Sequence, residues 1–435
     1  MEILCIGAGA VGSFFCGLMG KNHQVHLIAR GKHLEAMKKT GKLFVKSHLF
    51  GDIEIGVSAS DKPSSIYDII FISTKSQDTE AACEIIKKHI KDETIIVSLQ
   101  NGVDNPDLIK KHFPTSKIIA ASVFIGISVE SPAVLNHSAE GRVIIGSIDE
   151  KVTSEDLNNV KKLFDEINIP CTISDNIRYV AWKKLLWNLV FNPLSALLEA
   201  TCGRLVDSQN SRYIMGKMLD EGVMAAETQG IKIEEEYLRK VMDVSGKLYD
   251  YKTSMFQDIQ KLKTPEIDGI MLPVIEKLRS IGSSAPYTET VYNLLKFKYG
   301  KHYIYPPKPT VDVIVYNSKN EILLIERRNP PYGWAIPGGF IDYGERVEDA
   351  AKRELLEETG IVADRINFLG IYSDPERDPR FHTIGTVYYT FSDEKPTPQD
   401  DAKDARFFPI DNLPENIAFD HRQIIEDFIK KISGE

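Results

Sequence analysis

The sequence lacks several features that mark specialised protein classes. Its 435 residues contain no uninterrupted run of about 18 apolar residues, the length that a membrane-spanning helix needs. A net charge of −9 leaves no basic excess, which argues against a nucleic-acid partner. The apolar start MEILCIGAGAVG has no basic segment before it, so it is not typical of a signal peptide. We therefore expect a cytoplasmic protein that acts on small molecules, with no nucleic acid and no membrane as partner.

Cysteine is also scarce. The five cysteines show neither CxxC spacing nor a disulfide framework, so we expect buried thiols in a reducing compartment rather than disulfides or metal ligands. They are Cys5, Cys16, Cys83, Cys171 and Cys202. With 43% hydrophobic and 26% charged residues, the chain has a soluble globular composition, and its length allows two or three domains.

What is present in the first third is an alternation of short apolar runs with helical patterns. Strands are predicted at 1–9, 23–30, 67–75, 93–102 and 116–124, and another near 143–146. Helices are predicted at 79–90, 105–113 and 154–166. Such alternation predicts a parallel sheet covered on both faces, which is an α/β Rossmann domain over residues 1–168.

After residue 176 the apolar strand patterns give way to long helical patterns, notably at 180–200 and 230–262, which predict an all-α domain over 169–300. Pro306, Pro307 and Pro309 cannot continue a helix, so 301–309 is predicted to be a semi-rigid linker. Strands predicted at 310–317, 321–328 and 385–392, with one helix among them, indicate a third, α+β domain over 310–435.

A glycine motif follows the first predicted strand. In a dinucleotide-binding turn, the first glycine allows a tight turn, the second admits the pyrophosphate, and the third allows close helix packing. Its position between a strand and a helix favours this interpretation over a chance match. The motif residues, predicted to bind a cofactor, are Gly7, Ala8, Gly9, Ala10, Val11 and Gly12.

The end of the second predicted strand discriminates between two cofactors. An Asp or Glu there would bind the ribose 2′-hydroxyl of NAD, but the sequence reads LIARGK. Arg30 and Lys32 could instead meet a 2′-phosphate. NADPH is therefore the expected cofactor.

Further polar residues occur where ligands are expected. Lys75 and Asn101 end two predicted strands, where ligands of open parallel sheets collect. A lysine and two amides recur at spacing four on an otherwise apolar helix, and a serine and a glutamate follow further along. They are Lys184, Asn188, Asn192, Ser254 and Glu266.

Together with the glycine motif, these residues resemble the ketopantoate reductase family of NADPH-dependent 2-dehydropantoate 2-reductases, over roughly residues 1–300. The resemblance implies that Lys184 is the general acid that protonates the developing alkoxide, and that Glu266 holds the substrate hydroxyl. It further implies pantoate formation for coenzyme A biosynthesis. The positioning residues would be Asn188, Asn192 and Ser254, and the residues lining the cleft would be Lys75 and Asn101. The sequence departs from the family pattern at Met271 and Leu272, where Asn and Gly are common, so another 2-oxo acid is an alternative substrate.

The most constrained segment is 339–361, GFIDYGERVEDAAKRELLEETGI. Residues 347–359 lack Pro and Gly and predict a helix, on which Glu354, Glu357 and Glu358 share adjoining parts of one face. Carboxylates this close repel unless a cation neutralises them, and Mg²⁺ takes such oxygen ligands. The order of Gly, Glu, Arg and Ile residues resembles the Nudix box at each defining position.

The Nudix resemblance covers roughly 310–435 and implies an α/β/α sandwich. It also implies Glu354, Glu357 and Glu358 as Mg²⁺ or Mn²⁺ ligands, Glu345 as an additional ligand or base, and Arg353 as the residue that orients the carboxylates. The expected reaction is hydrolysis of a nucleoside diphosphate derivative.

Residues outside the box bear on the substrate. Trp334 and Tyr332 could stack on a base or pack the loop. Shortly after the box, the segment DPERDPR carries Pro375, and its Arg377 and Arg380 could meet a terminal ribose phosphate. This segment resembles ADP-ribose pyrophosphatases, so ADP-ribose is the expected substrate.

Two interpretations remain open at this point. The chain is either a bifunctional enzyme, or a reductase whose Nudix part is a non-catalytic sensor of ADP-ribose or NADP(H). The intact carboxylates favour the enzyme. The sequence is compatible with a homodimer and does not identify the oligomeric state.

Overall fold

The computed structural model describes residues 1–243, 246–260, 263–300 and 306–433. The chain forms two compact units, Met1–Ile259 with Thr264–Tyr303, and Ile304–Glu435 with Gln260–Lys263. Residues 301–305 of the predicted linker lie outside the described residues. Pro309, also assigned to the linker, instead belongs to the first strand of the second unit. No helix in the described part of the chain is both long and apolar enough to cross a membrane.

The first unit contains a ten-stranded sheet in the order β4-β3-β9-β8-β7-β6-β1-β2-β5, with β10 beside β9. The strands are Glu2–Ile6 (β1), Gln24–Ile28 (β2), Lys42–Ser47 (β3), Gly51–Gly56 (β4), Ser58–Ser60 (β5), Ile69–Ile72 (β6), Ile95–Ser98 (β7), Lys117–Ser131 (β8), Val134–Ser147 (β9) and Cys171–Ile173 (β10). β5, β2, β1, β6, β7 and β8 pair in parallel, as the apolar runs predicted.

The prediction of an all-parallel sheet was wrong at one side. β8 and β9 form a long antiparallel pair, and β3 and β4 form another. The strands at 42–60 were not predicted, because β3 alternates exposed and buried residues instead of forming a continuous apolar run. Such alternation marks a strand with one solvated face.

Helices cover both faces of this sheet. They are Ala10–Met19 (α1), Gly31–Thr40 (α2), Thr79–Ile86 (α3), Asn105–His112 (α4) and Ser154–Asp165 (α5). One buried cluster includes Phe14, Phe15 and Phe164, and a second, on the other face of the central strands, includes Ile70 and Ile109. The five cysteines are free and buried, as predicted.

The rest of the first unit is helical. Its helices are Ile177–Leu198 (α6), Cys202–Asp207 (α7), Gln209–Glu227 (α8), Glu235–Val241 (α9), Ser254–Gln260 (α10), Ile267–Ser280 (α11) and Pro286–Tyr299 (α12). The pattern at 230–262 is not one long helix, because α9 ends at Val241 and α10 begins only at Ser254. Buried Glu221 on α8 accepts the free N–H groups of Tyr287 and Thr288 at the start of α12, at 2.9 and 2.8 Å. This contact fixes α12 against α8.

The second unit is a sheet between two helices. Its strands are Lys308–Tyr316 (β11), Glu321–Arg327 (β12), Trp334–Ala335 (β13), Gly338–Phe340 (β14), Asn367–Tyr372 (β15), Thr383–Phe391 (β16) and Ala402–Pro409 (β17), and its helices are Val347–Thr359 (α13) and His421–Ser433 (α14). Val311, Val313 and Val315 of β11 pack with α13, whereas Ile314 packs with α14. Successive strand residues point to opposite faces, so β11 contributes side chains to a hydrophobic core on each face of the sheet. The unit is therefore an α/β/α sandwich.

Candidate active sites

The glycine turn between β1 and α1 is shaped for close backbone approach. Gly7 has φ +86°, and a Cβ there would lie 2.6 Å from the Thr74 backbone nitrogen. A Cβ on Gly12 would lie 2.7 Å from Cys5 Sγ. Gly9 caps α1 without a side chain, so the N-terminal N–H groups of the helix remain accessible. This geometry fits a dinucleotide pyrophosphate.

Arg30 follows β2 and begins α2 as its N-cap residue. Its guanidinium is 74% exposed and lies 3.7 Å from Asp78 Oδ2. Such a weak, solvated ion pair leaves the guanidinium available to a phosphate.

Lys184 on α6 reaches the carboxyl ends of the sheet strands. Its Nζ donates to Asn101 Oδ1 at 2.8 Å and to the Val123 carbonyl at 2.6 Å. The Phe124 ring centroid is 5.5 Å away. Burial lowers the pKa of Lys184 to about 8, with the charge of Glu266 opposing the shift. An ammonium with this pKa can deliver a proton near neutral pH.

Glu266 precedes α11 and faces the same place from the helical part. Its Oε1 accepts from the Ser76 N–H at 3.0 Å and from Ser76 Oγ at 2.9 Å, and its Oε2 accepts from Asn101 Nδ2 at 3.4 Å. The Asn101 amide therefore lies between Lys184 and Glu266. Ser76 was missed by the sequence analysis, although its position beside Lys75, after β6, is the signal that could have found it.

Lys75 is held by two contacts although its side chain is partly exposed. Its Nζ donates to Asp258 Oδ2 at 2.9 Å and to the Thr264 carbonyl at 2.5 Å. Two further ion pairs join α4 to the helical part: Arg178 with Asp107 and Lys277 with Asp104. Charge pairs thus connect the sheet domain to the helical part.

The three predicted positioning residues occupy different environments. Asn192 is 3% exposed, Asn188 on the same helix is half-buried, and Ser254 is an exposed first residue of α10. In the described part of the chain, no hydrogen bond joins any of them to Lys184 or Glu266. Met271, at the departure from the family pattern, is buried in α11, while Gly269 allows close contact because a Cβ there would lie 2.4 Å from Ser76 Oγ.

In the second unit, Arg353 donates hydrogen bonds to three carboxylates of the box. Its guanidinium donates to both oxygens of Glu345, at 2.8 and 2.9 Å, to Glu354 Oε1 at 2.8 Å and to Glu357 Oε2 at 3.0 Å. It also donates to the Phe340 carbonyl at 3.1 Å. These bonds lower the pKa of Glu345 to about 2. Arg353 thus orients three carboxylates, as the Nudix resemblance implied.

The double glycine Gly338–Gly339, at the start of the box, makes room for two other carboxylate contacts. Gly338 N–H donates to Glu358 Oε2 at 2.9 Å. A Cβ on Gly339 would lie 2.5 Å from the Glu354 carboxyl. Burial raises the pKa of Glu354 and raises that of Glu358 to about 8.

These residues fit a divalent cation by donor chemistry. Their oxygens are the hard ligands that Mg²⁺ and Mn²⁺ take, and Glu354 and Glu358 are carboxylates whose charge burial disfavours. With the side chains as they stand, no three acidic, histidine or cysteine side chains of the described residues converge as a ready-made metal site. The Arg353 guanidinium is the cation that Glu354 and Glu357 contact instead.

Arg377 is not where the sequence analysis expected it. It is 7% exposed, and it donates to both oxygens of Asp420, at 2.8 and 3.0 Å, and to Thr383 Oγ1 at 3.1 Å. Burial raises the pKa of neighbouring Asp312 to about 7, although the charge of Arg377 opposes the shift. Arg377 thus bonds to half-buried Asp420 and buried Thr383 instead of facing a substrate phosphate.

The aromatic residues before the box have packing contacts. Trp334 meets Phe408 edge-on at 4.7 Å, with Arg406 5.0 Å from the Trp334 ring, whereas Tyr332 is 65% exposed. Arg380 is partly exposed and forms an ion pair with Asp378. Of the two predicted phosphate contacts, Arg380 alone has an accessible side chain.

Comparison with known families covers nearly the whole chain. The description "Ketopantoate reductase PanE/ApbA" matches residues 3–150, its C-terminal counterpart matches 176–299, and "NUDIX domain" matches 306–428. A 2-dehydropantoate 2-reductase of Pyrococcus horikoshii is 30% identical over 68% of this chain and 97% of its own length. An ADP-ribose pyrophosphatase of Methanocaldococcus jannaschii is 41% identical over 34% of this chain and 88% of its own length.

Solved structures agree for the first unit. A PanE/ApbA family ketopantoate reductase from Ralstonia eutropha JMP134 superposes with a TM-score of 0.64 at 28% identity, covering 69% of this chain and 99% of that one. D-mandelate dehydrogenase gives the same TM-score at 22% identity, which shows a shared fold. Both resemblances from the sequence are confirmed: the chain belongs to the ketopantoate reductase family and carries a C-terminal Nudix domain.

Proposed function

We propose that the first unit reduces 2-dehydropantoate to pantoate with NADPH. The observation that carries the proposal is the arrangement of Lys184, Asn101 and Glu266. Bound NADPH would supply the hydride. Lys184 Nζ would donate to the ketone oxygen and protonate it as charge develops, and Glu266 would accept from the substrate hydroxyl.

The test is NADPH oxidation by purified protein with ketopantoate and a series of other 2-oxo acids. Ketopantoate should be the preferred substrate. Preference for another 2-oxo acid would support the reductase activity but change its substrate. The departure from the family pattern at Met271, which is buried, is the reason to test this alternative. No oxidation with any 2-oxo acid would refute the assignment.

The reductase activity should fall at high pH, where Lys184 loses its proton. Because the acid form is required and the Lys184 pKa is about 8, kcat/KM should be constant below that pH and fall as pH rises through it. The profile is measured with ketopantoate at saturating NADPH. A profile that stays flat to about pH 10, near the ordinary lysine pKa, would contradict the role of Lys184.

Cofactor choice should depend on Arg30. Arg30→Ala should weaken NADPH binding about 10- to 100-fold, since a charge-assisted contact to the 2′-phosphate is lost, and leave NADH binding nearly unchanged. Fluorescence titration of both cofactors measures this. Lys38→Ala is the matched control, because Lys38 is an exposed cation on α2 that is paired only loosely with Asp61, at 3.8 Å. Equal weakening of NADPH and NADH would argue against 2′-phosphate recognition.

For the second unit, we propose metal-dependent hydrolysis of ADP-ribose to AMP and ribose 5-phosphate. The observation that carries it is the carboxylate face of α13, oriented by Arg353. A divalent ion held by Glu354, Glu357 and Glu358 would neutralise diphosphate charge and activate a water. Arg353 would keep Glu345 and Glu357 aligned.

The second candidate is a sensor domain that binds ADP-ribose without hydrolysing it, in which Arg353 instead of a metal ion would neutralise Glu345, Glu354 and Glu357. AMP release from ADP-ribose, with and without Mg²⁺, separates the two. Metal-dependent turnover supports the hydrolase. Binding of ADP-ribose without turnover supports the sensor.

A further inference from the structure

Cations and phenylalanine rings alternate along one side of the second unit. Lys308 Nζ lies 4.4 Å from the Phe381 ring centroid, and the Arg380 guanidinium carbon lies 5.3 Å from the same centroid. That carbon is also 5.2 Å from the Phe419 centroid, and the guanidinium carbon of Arg327 is 4.8 Å from it. We call the series Lys308, Phe381, Arg380, Phe419 and Arg327 the cation ladder.

The ladder leaves cationic hydrogen-bond capacity unused. Arg327 donates from Nε to the Pro331 carbonyl at 2.8 Å, and its terminal nitrogens have no hydrogen-bond partner among the described residues. Lys308 Nζ likewise faces rings, with no carboxylate bonded to it in the described part of the chain. Arg380 donates to one carboxylate, Asp378, from Nε at 3.0 Å and from Nη2 at 2.8 Å. Buried Arg377 close by donates from all three guanidinium nitrogens, to Asp420 and Thr383, whereas Arg327 and Arg380 each keep at least one terminal nitrogen without a hydrogen-bond partner among the described residues.

The rings orient these cations without neutralising them. A guanidinium or ammonium beside an aromatic face is held by the ring quadrupole and keeps its full positive charge. Burial and the charge of Arg380 both lower the pKa of Arg327, while the charges of Glu358, Asp378 and Asp401 oppose the shift. An anion placed between the two arginines would relieve this repulsion.

The cation ladder also lies next to α13, the helix that carries Glu354, Glu357 and Glu358. The Phe340 ring centroid lies 5.7 Å from that of Phe381, and the Phe340 carbonyl accepts from Arg353 at 3.1 Å. Arg327 interacts electrostatically with Glu358. A site for a cation and a site for an anion are therefore neighbours.

We propose that the cation ladder holds the phosphate groups of the substrate of this domain, with Arg327 and Arg380 as the main contacts. The inference rests on the proposed hydrolysis of a nucleoside diphosphate derivative. It replaces Arg377 by Arg327 as the partner of Arg380. Lys308, at the outer end of the ladder, would attract the anion before it is bound.

The first test is kinetic, on the full chain with ADP-ribose and Mg²⁺. Arg327→Ala and Arg380→Ala should each raise KM about 10- to 100-fold with a smaller change in kcat, since each removes a charge-assisted hydrogen bond. Phe419→Leu keeps both arginines but removes the ring, so KM should rise by less, about 3- to 10-fold. Arg365→Ala is the control, because Arg365 is an exposed arginine of the same unit. An unchanged KM in both arginine variants, or a fall in kcat alone, would overturn the proposal.

A second test separates this inference from the proposed hydrolysis. Inorganic pyrophosphate is titrated calorimetrically into the full chain and into the Arg327→Ala/Arg380→Ala double variant, without divalent ions. The glycine turn is the same in both proteins, so a difference reports on the ladder. At least about tenfold weaker binding in the double variant supports the proposal even if ADP-ribose is not hydrolysed. Equal binding in both proteins, or none in the unmodified chain, would overturn it.

Discussion

Lys184→Ala is expected to lower kcat for ketopantoate reduction by about 10³-fold, because the variant loses both the proton donor and the cation at the ketone oxygen. NADPH binding should be nearly unchanged, since Lys184 contacts Asn101 and Val123 rather than the glycine turn. NADPH oxidation at saturating ketopantoate measures the first effect, and fluorescence titration measures the second.

The neighbouring lysine provides the control. Lys183 lies on the same helix, but its Nζ is 4.3 Å from the Tyr237 ring centroid and 3.6 Å from Glu234. Lys183→Ala should keep kcat within about twofold. If Lys184→Ala retained more than about a tenth of the activity, a different acid would have to be sought.

Glu357→Gln is expected to reduce ADP-ribose hydrolysis at least about 10³-fold, since a metal ligand contributes several kcal/mol of charge stabilisation and an amide supplies no charge. Glu357 is half-exposed and accepts from Arg353 at 3.0 Å, so the substitution leaves the core of the domain intact. AMP release measures the effect.

Two comparisons give this result its meaning. Glu348→Gln changes an exposed glutamate in the first turn of the same helix and should leave hydrolysis unchanged. NADPH oxidation by Glu357→Gln should equal that of the unmodified chain. Loss of both activities in Glu357→Gln would contradict two independent sites.

The fold was predictable where one physical signal dominated. The central strands of the first sheet are buried on both faces, so they form continuous apolar runs that sequence reading detects. Helix α13 was predicted at its observed bounds, because its residues are helix formers and Gly360 ends it with φ +72°. The strands β3 and β4 were missed because their polar faces interrupt the apolar pattern.

The candidate sites were predictable in part. The roles of Lys184 and Glu266 were inferred from the family resemblance, but the Asn101 amide between them depends on tertiary contacts that spacing does not encode. The same limit explains Arg377, whose partner Asp420 is 43 residues away. The cation ladder was invisible for this reason, because its members come from four separate segments of the chain.

The Asn101 amide has a consequence for affinity. Its oxygen accepts from Lys184 as a ketone oxygen would, and its N–H faces Glu266 as a hydroxyl would. The Asn101 amide thus occupies the hydrogen-bonding positions that the proposed mechanism gives to the substrate, so a substrate would exchange one set of hydrogen bonds for another of similar strength. The net gain from these polar groups is small. Discrimination between 2-oxo acids would then have to come from other contacts of the substrate, which makes those contacts the place to redesign selectivity.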